Sequence, residues 1–342
     1  MAGGFGTRML PLTERRPKHL LEVGGVPFLV HQITRLAAVG VRHVVLATSY
    51  HAELFRPVLG DGERYGVRLT YVTEDEPLGT GGAIRNVAGA LDPDPDHAVV
   101  ILNGDVLSDH DLRAQLEDFH RPREGRPVDV SLHLVQVEDP RAFGCVPTDA
   151  QGRVEAFLEK TEDPPTDQVN AGCYVFRRSV VDTIPEGRVV SVERETFPGL
   201  LADGHLVVGH VETAYWRDVG SPAALVAASR DLVLGHARSS LPEGGREALV
   251  VEASVEGAVD GGSSVLGGAV VARGARVSGS VLMPGARVGV GAVVVDSVLG
   301  PGASVGAGAR LEEAAVGDEA VVPEGLALPS GTRVACGTTA SA

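Results

Sequence analysis

Lysine is almost missing from this chain: of 30 basic side chains only Lys18 and Lys160 are lysines, and the rest are arginines. Arginine therefore meets the ordinary surface needs. A lysine kept in that background points to a place that wants a compact ammonium instead of a planar fork. Positive charge as a whole is in deficit. A net charge of −15 excludes a general attraction to nucleic acid, so a phosphate-bearing ligand must be met by local cations or a metal ion. Cysteine is scarce too. Cys145, Cys173 and Cys336 have neither metal-site spacing nor the even number of a disulfide framework, which suits a reducing cytoplasm. No apolar run is long enough to span a bilayer and no targeting segment is evident, so a cytoplasmic protein with no membrane partner is expected. Aromatic residues make up only 4% beside 44 glycines, which hints at an unusual architecture somewhere.

What is present is enough for two domains with a real core: 342 residues, 44% of them hydrophobic. The stretch from Met1 to Lys18 organises the rest. Gly3, Gly4 and Gly6 leave the backbone free to turn tightly and expose its N–H groups. Thr7 adds a hydroxyl, and Arg8 and Lys18 add cations, so the loop has the means to cradle phosphates. On its own a Gly-Gly-x-Gly is more often a simple turn, and the spacing fits neither the Walker loop nor the dinucleotide fingerprint.

Beyond it, strands and helices alternate. Residues 27–39 read as a helix and 42–48 as a buried strand. Residues 67–73 follow as a second strand, 81–91 as a helix, 97–103 as a strand and 109–120 as a helix. That order predicts a mostly parallel, Rossmann-like α/β sheet covered on both faces, with ligands beyond the carboxyl ends of the strands. Asn103-Gly104-Asp105 closes an apolar strand, so Asp105 stands at that edge, where a carboxylate can hold Mg²⁺ beside phosphate oxygens. A turn aspartate is the competing reading, and Asp109 and Asp111 read as caps of the next helix. From residue 128 the texture turns antiparallel, with strand-like segments at 128–137, 143–147, 153–160 and 168–176. Ser221-Pro222 opens a helix running to Leu234. His110, His120, His133, His205 and His210 show no usable spacing and read as surface or core positions.

Gly-Gly-Phe-Gly-Thr-Arg followed by Pro17-Lys18 resembles the signature of the sugar-1-phosphate nucleotidyltransferases, and the likeness continues past residue 230. It implies a loop (Gly3, Gly4, Gly6, Thr7) on the nucleotide phosphates, with Arg8 and Lys18 neutralising the leaving pyrophosphate. The second glycine loop, Glu76 to Gly82, would meet the nucleobase through Gly79 and Thr80; by itself it reads as a strand–helix turn. The resemblance further implies that Gly144, Glu159, Lys160 and Asn170 receive the sugar phosphate, and that Asp218 joins Asp105 on Mg²⁺. Without it, Glu159-Lys160 would read as a solvated charge pair and Asp218 as a helix-entry residue. Two departures stand out. His19 replaces a second proline usual after the lysine. The family's loop also follows an apolar strand, whereas only Met1 and Ala2 precede Gly3, so either the start lies upstream or a central strand is lacking. Within the family, the segments Pro-Leu-Gly-Thr-Gly-Gly, Asp-Pro-Arg-Ala-Phe-Gly-Cys-Val-Pro-Thr-Asp, Asn-Ala-Gly-Cys-Tyr-Val-Phe and Ser-Val-Glu-Arg-Glu-Thr-Phe-Pro resemble members that make GDP-mannose from GTP and mannose 1-phosphate. Thymidylyl or adenylyl transfer to glucose 1-phosphate, and a non-catalytic nucleotide-sugar-binding regulatory subunit, are the alternatives.

The last hundred residues are periodic. Val265, Val271, Val277, Leu282, Val288, Val294, Leu299, Val305, Leu311, Val316, Val322, Leu328 and Val334 follow steps of six, six and five until the final coil. This predicts a left-handed parallel β-helix of hexapeptide repeats. The implied division is 1–235 nucleotidyltransferase domain, 236–248 linker and 249–342 β-helix, in a chain that could assemble with copies of itself. From Ala237 onward there is no histidine and no lysine, which excludes the histidine-dependent acyl transfer that many such helices perform.

Overall fold

The computed structural model describes residues 1–158, 161–239 and 244–341. The chain forms two compact units, each drawn from separate stretches. The first comprises Met1–Gly4, Leu36–Arg56 and Gly60–Trp216; the second comprises Phe5–Arg35, Pro57–Leu59 and Arg217–Ala342. The chain meets, in order, β1 (Glu22–Val23), β2 (Val26–Pro27), α1 (Phe28–Ala38), β3 (His43–Thr48), α2 (Phe55–Leu59), β4 (Arg68–Thr73) and α3 (Gly79–Asn86). Then come β5 (Ala98–Leu102), β6 (Val106–Ser108), α4 (Leu112–Phe119), β7 (Val130–Gln136), β8 (Gln168–Arg177) and α5 (Arg178–Val181). α6 (Phe197–Ala202), β9 (Val207–Glu212), β10 (Trp216–Asp218) and α7 (Pro222–Leu234) follow.

The first unit is built on a mixed sheet. β3 and β4 pair in parallel. β5, β8, β7 and β9 form a four-stranded sheet in that order, antiparallel except for the β7–β9 pair. Met1 and Ala2 join the two parts. Ala2 bridges Thr48 in parallel and its N–H donates to the Ala47 carbonyl at 2.8 Å, while the Met1 amine donates to the Leu102 carbonyl at 2.7 Å. Beneath the sheet Tyr174, Phe176 and Phe197 pack with Val130, Leu132 and Leu134.

Predicted elements appear with shifted ends. The helix read at 81–91 is α3, which begins at Gly79 and ends at Asn86. The helix read at 109–120 starts only at Leu112, because Asp111 caps it by accepting from the Ala114 N–H at 3.0 Å. The Asp109 N–H donates to the Tyr215 carbonyl at 2.8 Å. Residues 143–158 make isolated bridges, Cys145 to Leu158 and to Val169 and Thr148 to Val154, instead of full strands. β9 has no counterpart in the sequence reading.

In the second unit, fifteen short strands from β11 (Ala248–Val250) to β25 (Arg333–Val334) stack into three parallel sheets. Val265, Leu282 and Leu299 are register partners seventeen residues apart, as are Val271, Val288 and Val305. Every aliphatic position of the predicted repeat lies in the single buried core of this stack. A ladder of buried serines runs beside it: the N–H groups of Ser280, Ser297 and Ala314 donate to the hydroxyls of Ser263, Ser280 and Ser297. The same unit holds the hairpin β1–β2 and α7. The Gly24 N–H donates to Ser229 Oγ, which bonds Ser264 Oγ at 2.8 Å.

Candidate active site

The glycine loop is shared between the units. In the first unit the N–H of Gly4, with φ +98°, donates to Ser49 Oγ at 3.2 Å, and a Cβ on Gly3 would come within 3.0 Å of that oxygen. In the second, Gly6 at φ +61° lets its carbonyl accept from Thr13 Oγ1 at 2.8 Å. Thr7 and Arg8 lie exposed in one 3₁₀ turn, Thr7–Met9, whose Met9 is buried, and Lys18 opens the next, Lys18–Leu20. The turns are neighbours: a Cβ on Gly6 would sit 3.6 Å from Lys18 Cβ. The Arg8 guanidinium lies against Gly220, where an added Cβ would meet Nη2 at 2.8 Å. The second unit therefore gathers Gly6, Thr7, Arg8 and Lys18, and lays Arg8 on the segment that carries Asp218.

Asp105 follows β5 in the first unit. Its turn is fixed at both ends: Gly104 donates to the Met1 carbonyl at 2.9 Å and Val106 to the Asn103 carbonyl at 3.3 Å. Burial lowers the Met1 ammonium to about 6, against the opposing pull of the Asp105 and Glu74 carboxylates. Asp105 thus projects negative potential at the seam between β3 and β5. Oxygen donors of this kind suit Mg²⁺, a hard cation usually held by one or two carboxylates with water and phosphate. Asp218 belongs to the other unit, so neither unit by itself contains the acid pair.

The second glycine loop is packed inward. A Cβ on Gly79 would approach the Val190 carbonyl to 2.6 Å, and Gly81 donates to that carbonyl at 2.8 Å. Thr80 Oγ1 donates to Glu193 and accepts from the Val192 N–H. Asn170 and Gly144 are brought together, since the Asn170 N–H donates to the Gly144 carbonyl at 3.1 Å. The Asn170 side chain is braced by Tyr174 Oη and the Gly172 N–H. Trp216 closes this corner by donating to the Ala171 carbonyl and packing edge-on to Phe143. Glu159 and Lys160 lie outside the described residues.

Sequence reasoning missed the links that hold the loop. Within the second unit Arg16 forms a bidentate pair with the buried Asp318 at 2.5 and 3.1 Å, and Cys336 Sγ donates to the Pro11 carbonyl at 3.4 Å. No local signal could have found them, because the partners lie about three hundred residues apart in the chain. His110, His133, His210 and Glu212 also converge in the first unit, and only the alternation of His210 and Glu212 on one strand face hinted at it.

A glycine loop carrying cations, an α/β unit with a mixed sheet and a hexapeptide stack, in one chain, define the class. The nucleotidyl transferase family profile matches residues 1–233 and a GlmU-like C-terminal hexapeptide profile matches 248–331. The chain belongs to the nucleotidyl transferase family. Among its relatives is the mannose-1-phosphate guanylyltransferase of Mycobacterium tuberculosis, 55% identical over 79% of this chain and 73% of that protein. The mannose-1-phosphate guanyltransferase of Candida albicans is 38% identical over 65% of this chain and 60% of its own length. Solved structures that resemble it include a putative glucose-1-phosphate thymidylyltransferase from Bacillus anthracis in complex with sucrose (TM-score 0.60, 25% identity, 67% of this chain and 91% of that one). HddC from Yersinia pseudotuberculosis complexed with GMP-PN is similar too (TM-score 0.56, 25% identity, 67% and 95%). No helix among the described residues is long and apolar enough to cross a membrane.

Proposed function

We propose that this nucleotidyltransferase moves a guanylyl group from GTP to mannose 1-phosphate and releases pyrophosphate. The observation that carries the choice of base and sugar is the 55% identity to the mycobacterial guanylyltransferase over most of the chain. A phosphate oxygen of the sugar attacks the α-phosphorus while the bond to pyrophosphate breaks. Such a transfer needs positioning and charge neutralisation more than covalent help. The loop of Gly3, Gly4, Gly6 and Thr7 offers N–H donors to the triphosphate. Arg8 and Lys18, on adjoining turns, take up charge on the departing pyrophosphate, while Gly79 and Thr80 shape the nucleoside end. Gly144, Glu159 and Asn170 orient the sugar, and Lys160 its phosphate. Asp105 and Asp218 would hold Mg²⁺, which when bound neutralises phosphate oxygens. The setting is a cytoplasmic, water-soluble biosynthetic enzyme.

Thymidylyl transfer to glucose 1-phosphate is the second reading, favoured by the likeness to the Bacillus anthracis protein. Pyrophosphate release measured for GTP, ATP and dTTP against mannose and glucose 1-phosphate separates these. Fastest turnover with any other pair refutes the specificity, and no turnover with any pair favours a regulatory nucleotide-sugar-binding subunit. Asp105→Asn is expected to abolish turnover in a protein that keeps its circular dichroism. Unchanged turnover removes the metal role.

A further inference from the structure

Three histidines and a glutamate, none of them among the groups assigned above, meet on one face of the four-stranded sheet. His133 on β7 is fully buried and is the register partner of His210 on β9. Glu212 stands two residues beyond His210, on the same face of that strand. His110, in the loop between β6 and α4, stacks on His133 with ring centroids 3.8 Å apart and meets His210 edge-on at 5.6 Å. Its Nδ1 faces Glu212 Oε1, and His133 Nε2 lies 3.2 Å from the same oxygen without the alignment of a hydrogen bond. One ligand atom from each of His110, His210 and Glu212 falls within 4.8 Å of the others.

Proton placement makes this more than a cluster. The Ser131 carbonyl can only accept, so Gln115 must present Nε2 to it, at 3.3 Å, and to Ser131 Oγ at 3.2 Å. That turns Gln115 Oε1 toward His110 Nε2 at 2.7 Å, and His110 Nε2 must carry the hydrogen. In a neutral ring Nδ1 is then a lone pair, and it faces a carboxylate oxygen. Two lone pairs directed at each other repel, and a cation between them relieves the repulsion.

We propose that His110, His210 and Glu212 bind a divalent transition-metal ion, for which zinc is the best match. Two imidazole nitrogens and one carboxylate oxygen, with water completing the shell, are a zinc donor set, whereas Mg²⁺ prefers oxygen alone. The bond from His110 Nε2 to Gln115 is the outer-shell contact that orients a metal-bound imidazole. His210 and Glu212 are half-buried, which gives the ion a way in. Bound there, the ion ties the loop before α4 to β9, and so steadies the segment that begins at Asp105.

The test uses the full chain, stripped with a chelator and titrated with zinc alone in competition with a chromogenic chelator. A parallel titration with Co²⁺ reads the visible spectrum. One equivalent of zinc, a rise in the thermal midpoint and the intense bands of four-coordinate cobalt are expected. His210→Ala and Glu212→Gln should each weaken zinc binding by roughly tenfold or more, while Cys336→Ser leaves it unchanged. No zinc bound at tenfold excess by folded protein overturns the proposal, as does wild-type affinity in Glu212→Gln. If His210→Ala does not fold, Glu212→Gln and the wild-type cobalt spectrum decide the matter.

Discussion

At Gly220 the side chain that is missing matters more than any that is present. A Cβ there would push first on the flexible end of Arg8, whose Nη2 would be 2.8 Å away. Gly220→Ala is therefore expected to leave the unfolding free energy within ~0.5 kcal/mol while lowering kcat by roughly tenfold or more, as displaced transition-state donors do. Steady-state kinetics beside urea melts check both halves. Gly79 is the opposite case. Its φ of +72° and the Val190 carbonyl 2.6 Å from a would-be Cβ leave Ala no relaxed position, so Gly79→Ala should cost about 1–3 kcal/mol in the same melts. His31 supplies a pH dependence. It is buried in α1 between the Val23 carbonyl at 2.8 Å and Ser239 Oγ at 2.7 Å, and burial lowers its pKa below 6.5. The unfolded chain then takes up the proton first, so this contribution is intact above about pH 6.5 and fades as pH falls. Urea midpoints at pH 7.5 and 5.5 should separate more in the wild type than in His31→Gln.

Among the elements, the β-helix was the most legible and the sugar half of the sheet the least. Valine and leucine recur in the stack because only that spacing turns every aliphatic inward, so the pattern is forced on the sequence. β9 leaves no such trace. Gly209 interrupts its apolar run, and its partner β7 lies about seventy-five residues earlier; the gap at Gly209 is filled by Leu134, whose Cδ1 would be 2.6 Å from a Cβ. The segments expected as strands at 143–147 and 153–160 reduce, among the described residues, to isolated bridges, with Pro147 unable to donate in the first of them. Of the candidate site, residue types and their loops were readable, whereas the support of the loop by Asp318 and Cys336 depends on contacts with no sequence period. That support is testable. Asp318→Ala strips the partly buried Arg16 of its partner and should cost about 1–3 kcal/mol. It should also raise KM for the nucleotide, read from initial rates, because the glycine loop loses its anchor.

For the molecule as a whole, the compact units do not follow the order of the chain. Phe5–Arg35, which carries Arg8 and Lys18, belongs with the β-helix, and α7 reaches the stack through Ser229 and Ser264. A chain cut after Leu234 is accordingly expected to lose nucleotidyl transfer and to bind a hydrophobic dye, even though the family profile ends at residue 233. Full activity in that fragment would show that the stack is dispensable. The seventeen-residue register of the stack bears on how such a protein can change over generations. Duplicating or deleting one whole coil returns every valine to the interior and every serine hydroxyl to the next amide. A change of two or three residues rotates all later side chains off their rungs. Length here is quantised: viable descendants differ by complete turns, with departures tolerated only as bulges at the corners.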